Sequence, residues 1–156
     1  MVVPNLLNQL VELTGNASNA FTIALYKVDL DDNALVLHHH VSLSANFDSE
    51  AKIPFGEGPI GTVAESKQPY LEEHFERNPA NLCIYKNKED LKSFLALPVI
   101  HKKLEGVLVI DSKESYSFPA KQQKIITGLA NQMAWHMNQE KKSQWFPRLG
   151  RLAWHQ

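Results

Sequence analysis

The 156-residue sequence predicts an α+β protein, with helices on one face of an antiparallel sheet and a long connector on the other. Three observations support this class. Residues 93–112 consist of two apolar strands joined by a short charged turn. Apolar residues recur at helical spacing near both ends of the chain, and residues 44–92 show no sustained period.

The apolar stretch 93–112 is expected to form the central hairpin of the sheet. Side chains alternate between the two faces of a strand, so strands that are apolar at both parities must be covered on both sides. We expect the turn His101–Glu105 to be solvated and Gly106 to close it with a positive φ. Pro98 cannot donate a ladder hydrogen bond, so it marks a bulge or a missing neighbour strand. Asp111 ends one apolar row of the second strand.

The elements on either side of this hairpin follow from their patterns. Pro4–Leu13 has one apolar helical stripe, with a stop expected at Gly15–Asn16. Phe21–Val28 and Ala34–Leu43 are rich in strand-forming residues and are separated by a turn cluster, which predicts a second hairpin. Phe118–Lys142 has the longest apolar stripe and is expected to form the last helix.

The connector contains short elements of its own. Pro59–Ser66 is expected to form a helix, Tyr70–Leu71 a short edge strand, and Cys83–Tyr85 an apolar island. Gly56–Gly61 spells G-x-G-x-x-G, but the dinucleotide site with that spacing also needs a strand before it and a parallel strand beyond it. We therefore interpret these glycines as permitting a sharp turn. Alternatively, free amides at the start of the Pro59 helix face a carbonyl or anionic group of a ligand.

Composition and charge limit the location and the partners. A formal net charge of −1 gives no field to attract nucleic acid or an anionic membrane, and no apolar run approaches the ~18 residues of a membrane span. One cysteine forms no internal disulfide. We expect a soluble, cytoplasmic protein with one domain over residues 1–142 and a tail or linker over 143–156. The tail, which contains Trp145 and Trp154, either contacts a partner or folds back.

The run His38–His40 does not predict a metal site. Neighbouring residues of a strand point to opposite faces, so at most His38 and His40 share a ligand, whereas structural zinc requires four ligands. We interpret all three as partly exposed strand positions. The spacing of serine, histidine and aspartate does not indicate a catalytic triad, and no catalytic residue is assigned.

Five motifs in register resemble a GAF domain, a small ligand-binding signalling module with a PAS-like fold, over about Asn5–Lys142. They are Ile53–Ala64 (IPFGEGPIGTVA), Gln68–Tyr70 (QPY), Phe94–Val99 (FLALPV), Leu104–Ile110 (LEGVLVI) and Phe118 at the start of the last helix. The resemblance implies that the terminal helices cover one face of the sheet and that a pocket lies on the other face, beneath the connector. It also implies a homodimer formed through those helices, and a downstream output domain or protein.

Combining this pocket with strand alternation gives a set of expected ligand contacts. The junction of the hairpin and the connector has an apolar floor, an aromatic wall and helix amides at one edge. The expected contacts are Phe55, Gly58, Ile60, Tyr85, Phe94, Ala96 and Asp111. For Asp111 the preferred alternative is that it ends its strand in solvent. The cofactor or ligand itself is not identified by the sequence.

The resemblance therefore favours a non-catalytic sensory or regulatory module that binds a small molecule and signals through its terminal helices. Some GAF domains reduce free methionine sulfoxide, but that chemistry needs a second thiol, and this chain has only Cys83. Others attach a bilin through a cysteine, often followed by histidine, where this chain has Ile84. We interpret Cys83 as a small buried hydrophobe. The cyclic-nucleotide signature cannot be placed around Asn87, and a dimerisation module without ligand is the third alternative.

Overall fold

A computed structural model describes residues 5–77 and 81–154; for 143–154 the description is limited to the backbone. Within these ranges the chain forms three helices and six strands, and the strands belong to one sheet. In chain order the elements are α1 Leu6–Ala17, β1 Thr22–Asp29, β2 Ala34–Ser42, β3 Lys52–Pro54, α2 Gly58–Ser66, β4 Tyr70–Glu72, β5 Ser93–Ile100, β6 Leu104–Ser112 and α3 Ala120–Trp154.

The sheet has the strand order β3-β2-β1-β6-β5-β4, and every neighbouring pair is antiparallel. The apolar hairpin β5–β6 lies inside the sheet, between β1 and β4, as its composition predicted. β4 pairs only with residues 94–96 of β5. Pro98 therefore lies beyond the end of its neighbour, where no partner needs its missing N–H. The register irregularity follows one residue later, between Val99 and Ile100.

Two apolar layers cover the two faces of this sheet, which confirms the predicted fold class. On one face, which we call the helix face, α1 and α3 pack over alternate residues of the central strands. On the other, the connector face, α2 and the loops of residues 43–92 pack over the intervening residues. Phe94, Ala96, Val107 and Val109 point to the connector face, and Leu108 points to the helix face. This is the alternation that the sequence predicted.

The first helix extends beyond its expected end. Asn5 caps α1, its Oδ1 accepting a hydrogen bond from the N–H of Asn8 at 3.1 Å. The expected stop at Gly15–Asn16 is wrong by one residue, because α1 continues to Ala17. A Cβ on Gly15 would lie 2.6 Å from Cγ2 of Ile23, so this glycine allows the helix to pack closely on β1.

The central turn is shorter than expected and Gly106 has a different role. The turn comprises residues 101–103, while Leu104 and Glu105 belong to β6 and are buried. Gly106 does not have a positive φ. A Cβ at this position would lie 1.9 Å from the carbonyl oxygen of Tyr26, so only glycine permits this approach between β1 and β6.

The last helix also extends further than predicted. The sequence placed its end near Lys142, but the backbone of α3 remains helical to Trp154. The predicted interface residues of the tail, including Trp145, have side chains outside the described part of the chain. In the described ranges no helix is both long and apolar enough to cross a membrane.

Candidate functional site

One polar cluster lies within the apolar connector face. Tyr85, in the connector, reaches the sheet, where its hydroxyl contacts Oγ1 of Thr22 at 2.7 Å and Oδ2 of Asp111. The backbone N–H of Thr22 donates to Oδ1 of Asp111 at 2.9 Å. Tyr85 also forms an isolated β-bridge with Phe47. Through these contacts a single tyrosine ties the connector to the end of β6.

Asp111 is fully buried, so the preferred expectation that it ends the strand in solvent is wrong. Burial raises the pKa of its carboxyl from 3.8 to about 7, although the hydrogen bonds from Tyr85 and Thr22 favour the ionised form. A carboxyl with this pKa changes its protonation state near neutral pH. It can therefore either accept from Tyr85 or donate to it.

Hydroxyl groups continue the cluster toward Glu89. Ser42 Oγ lies 2.6 Å from Oγ1 of Thr22 and accepts from the N–H of Ser44 at 3.1 Å. Ser44 donates to Glu89, whose carboxylate also accepts from Lys113 at 3.0 Å. The hydrogen bond from Ser44 is the main reason that the pKa of Glu89 is lowered. Glu89 is therefore the ionised end of a network that joins the connector to β2 and β6.

A buried tyrosine hydroxyl lies near this cluster without a partner. Tyr26 of β1 points to the connector face, has no exposed surface, and its Oη forms no hydrogen bond within the described residues. Burial raises its pKa, and the charges of Asp48 and Asp111 raise it further. An unpartnered buried donor carries a desolvation cost of about 1–3 kcal/mol. Tyr26 is thus a hydrogen-bond donor available beneath the connector.

The glycine-rich turn precedes α2 and has no dinucleotide-site topology. β3 pairs antiparallel with β2, and β4 lies at the opposite edge of the sheet, so no parallel β-α-β unit exists among the described elements. Gly56 and Gly58 have φ values of 87° and 63°, which supports the turn interpretation. A Cβ on Gly58 would lie 2.3 Å from the carbonyl oxygen of Asn81. Gly58 therefore packs directly against the connector loop at Asn81.

Cys83 is exposed, so its interpretation as a buried hydrophobe is wrong. Its φ of 70° turns the side chain outward, while its neighbours Leu82 and Ile84 are buried. The thiol donates to the carbonyl oxygen of Asn81 at 3.3 Å. Partial burial and the nearby charge of Glu57 raise the pKa of this thiol. The thiolate, which is the nucleophilic form, is therefore disfavoured.

The three consecutive histidines do not line one common site. His38 has no paired residue in β1, because the register shifts between Leu25 and Tyr26, and this bulge breaks the expected alternation of side chains. His39 Nε2 lies 3.0 Å from Oε1 of Glu12 in α1, on the helix face, whereas His40 stacks on Phe47. His38 and His40 therefore do not share a ligand. Within the described ranges no group of three or more metal-binding side chains is present.

The seven predicted contacts lie along the connector face, but the connector packs tightly over most of them. Ile60, Phe94, Ala96 and Asp111 have no exposed surface, because Leu82, Ile84 and Leu91 of the connector cover the sheet. Two of the seven line separate cavities, one of about 430 Å³ that includes Phe55 and one of about 150 Å³ that includes Tyr85. Simultaneous contact with one ligand would require the connector to move.

A cavity larger than these two lies elsewhere. It has a volume of about 470 Å³ and lies beside the hairpin turns and α3, lined in part by Lys27, Leu30, Lys103 and Lys141. None of the seven predicted residues lines it. Asp29 and Asp31 line it as well as the lysines, so its charges are mixed. We give more weight to the buried polar cluster, because its side chains are held by specific hydrogen bonds.

Sequence reasoning identified Tyr85 and Asp111 but missed Tyr26, Thr22 and Glu89. Tyr26 could have been found from strand alternation, because it has the same parity as Ala24 in the first hairpin. Thr22 and Glu89 had no comparable signal, since their roles depend on pairing between distant segments.

An antiparallel sheet with two terminal helices on one face and a covered polar cluster beneath a connector on the other is the arrangement that the resemblance to GAF domains implied. The sequence profile of the GAF domain family matches residues 2–137. The chain therefore belongs to the GAF domain family. No curated protein sequence matches it.

Solved structures show the same fold. The GAF domain of a phosphoenolpyruvate-protein phosphotransferase from Coxiella burnetii is 27% identical with a TM-score of 0.75, over 92% of this chain and 88% of that one. The corresponding Acinetobacter domain is 20% identical with a TM-score of 0.75, over 87% and 82%. A free methionine-R-sulfoxide reductase from Neisseria meningitidis, solved with its substrate, is 19% identical with a TM-score of 0.73, over 88% and 78%.

Proposed function

We propose that this GAF domain is a non-catalytic sensory or regulatory module. It binds a small polar molecule between the sheet and the connector and signals through α1 and α3 to a downstream domain or protein. The observation that supports this proposal is the unpartnered hydroxyl of Tyr26, buried near the carboxyl of Asp111. A ligand with a hydrogen-bond acceptor would satisfy Tyr26 once the connector segment around Tyr85 moves aside.

The connector is suited to such a movement. Between β4 and β5 its described residues form bends and turns, and Tyr85 is its polar link to Asp111. Segments with few regular backbone hydrogen bonds open at lower free energy than central strands. The sheet would supply the fixed part of the site and the connector the mobile part.

Native mass spectrometry of small molecules retained by the purified protein tests this proposal. We expect a retained species that Tyr26→Phe loses, while Tyr116→Phe, at an exposed tyrosine, keeps it. Tyr26→Phe removes an unpartnered polar group and should not lower stability. Ala96→Phe is less suitable, because Ala96 has no exposed surface and a larger side chain would overpack the core. Retention by Tyr26→Phe would contradict the placement, and an empty wild type would favour a dimerisation module without ligand.

The non-catalytic assignment rests on the cysteine chemistry. Cys83 is the only thiol in the sequence, and its raised pKa disfavours the thiolate. The likeness to a free methionine-R-sulfoxide reductase concerns the fold, since the identity is 19%. We expect no turnover of free methionine sulfoxide with dithiothreitol as reductant. Turnover that Cys83→Ser abolishes would establish the enzyme alternative. The single cysteine is also consistent with a cytoplasmic location, which we include in the proposal.

A homodimer through the terminal helices is the second part of the proposal. Leu6 and Leu13 on α1, and Ile125 and Trp135 on α3, are large apolar side chains that remain exposed on the outer surface of the helix layer. Exposed apolar side chains on one layer are typical of an interaction surface. Light scattering at micromolar concentration should give twice the chain mass, and Ile125→Glu should give the monomer. A wild-type monomer would contradict this part.

A further inference from the structure

Two polar side-chain atoms are buried on the sheet beside the turn of α3 that contains Glu140 and Lys141, far from the connector site. The strand registers pass over His38 in β2 and over Glu105 in β6, so both residues lie at irregularities of the sheet. Nε2 of His38 and Oε1 of Glu105 are buried and have no hydrogen-bond partner among the described residues. We call these two residues, together with Glu140 and Lys141 of α3, the α3 junction.

Of two consecutive residues of α3, one is hydrogen-bonded to Glu105 and the other lies close enough to His38 to affect its charge state. Nζ of Lys141 donates to Oε2 of Glu105 at 2.5 Å. Burial lowers the pKa of His38, and the nearby carboxylate of Glu140 acts in the opposite direction. Neighbouring residues of a helix are separated by about 100°, so Glu140 and Lys141 lie on adjacent flanks of one turn. Among residues 120–142 of α3, whose side chains the structure describes, Met137 is the last buried apolar residue. Polar contacts therefore replace apolar packing at this turn.

The Lys141–Glu105 pair is asymmetric. Glu105 has no exposed side-chain surface, whereas the side chain of Lys141 is 51% exposed. Glu105 depends on Lys141 to compensate its charge, but Lys141 can be hydrated without Glu105. A buried ion pair adds little net stability, but removal of one partner leaves a costly uncompensated charge. Loss of Lys141 should therefore force Glu105 toward water, and α3 lies across that path.

The same strand connects this junction with the candidate ligand site. Glu105 and Asp111 are six positions apart on β6 (111 − 105 = 6), which corresponds to about 20 Å along a strand. A change in the hydrogen bonds of Asp111 acts at one end of β6, and α3 is held at the other end. β6 is central and fully buried, so it is a stiff link between the two.

We propose that the α3 junction is a conformational latch on the outgoing helix. Lys141 keeps the latch closed by compensating Glu105, and hydration of Glu105 opens it and releases α3 from residue 138 onward. The inference deepens the proposed function, because it assigns the output step to specific residues. Its test requires no ligand, so failure of the ligand proposal and failure of the latch can be distinguished.

Hydrogen–deuterium exchange of the full chain, followed by mass spectrometry, tests the latch. In Lys141→Met, amides of residues 138–154 should exchange at least tenfold faster, while those of residues 126–134 remain unchanged. Glu105→Gln, which leaves no buried charge, should stay within threefold of wild type. The double variant Glu105→Gln/Lys141→Met should also return to within threefold. Lys142→Met, at the exposed neighbouring lysine, is the matched control and should behave as wild type.

The locality of the effect separates a latch from an ion pair that supports the fold as a whole. A pair that supports the whole fold would speed exchange throughout the domain, residues 126–134 included, and that result would overturn the proposal. A tenfold faster exchange in Glu105→Gln would overturn it as well, because that variant leaves no buried charge. An unchanged rate in Lys141→Met would also overturn it. If Lys141→Met does not fold, Glu105→Gln decides the question by itself, since a tenfold faster exchange of residues 138–154 in that variant contradicts the mechanism.

Discussion

Replacing Asp111 by asparagine should remove a pH dependence from the stability of this domain. Burial raises the pKa of the carboxyl in the folded protein, whereas the unfolded chain has an ordinary value near 3.8. The folded state therefore retains a proton that the unfolded state loses. This stabilising contribution is complete below the unfolded pKa and is lost as the pH rises through about 7.

The magnitude follows from the size of the shift. One pKa unit corresponds to about 1.4 kcal/mol, and the stabilising contribution falls between the unfolded pKa of 3.8 and the folded pKa of about 7. The range from pH 5 to pH 8 includes about two of these units, so the predicted loss of stability over that range is about 3 kcal/mol. For a domain of this length, that corresponds to roughly 6–12 °C in Tm. Tyr85 donates to Oδ2 of the ionised carboxylate, and Oδ1 accepts from the N–H of Thr22. When neutral, the carboxyl can instead donate from Oδ2 to Tyr85, and an asparagine amide can form the same two hydrogen bonds. The variant should therefore fold.

Urea denaturation of both proteins at pH 5 and pH 8 measures this effect. Burial lowers the pKa values of His38 and His40, so these histidines make stability rise with pH, in the opposite sense. The informative quantity is therefore the difference between wild type and variant. Relative to wild type, Asp111→Asn should gain about 3 kcal/mol on going from pH 5 to pH 8. Asp90→Asn, at an exposed carboxylate, should leave the wild-type slope unchanged. If Asp111→Asn retains that slope, the carboxyl does not titrate as argued.

Two further predictions concern the connector. Gly58→Ala should destabilise the domain by about 2 kcal/mol or more, because φ at this position is 63° and the new Cβ would meet the carbonyl oxygen of Asn81. Gly128→Ala is the control, since a Cβ there meets nothing within 4 Å, and it should stabilise the domain in parallel urea titrations. Cys83→Ala should change the free energy of unfolding by less than about 0.5 kcal/mol, because the thiol is exposed, and a larger loss in the urea titration would contradict this.

Local periodicity was sufficient to predict the layers of the fold. The apolar residues at both parities in 93–112 required burial on both faces of the sheet. The helices at the two ends of the chain cover one face, and the connector covers the other. The five motifs in register then placed the chain in the GAF domain family, which the family match confirms. These features depend on residues close in sequence, so they could be predicted without coordinates.

Only the tertiary structure decided the details of the sites. The partner of Asp111 is Tyr85, from a connector with no period, and the unpartnered state of Tyr26 depends on what the connector places above it. The bulges that turn His38 and Glu105 toward α3 arise from the pairing of whole strands, and they shift the faces that simple alternation assigns. Side-chain direction is a local property of a regular strand, but register and convergence are set by contacts between segments distant in sequence.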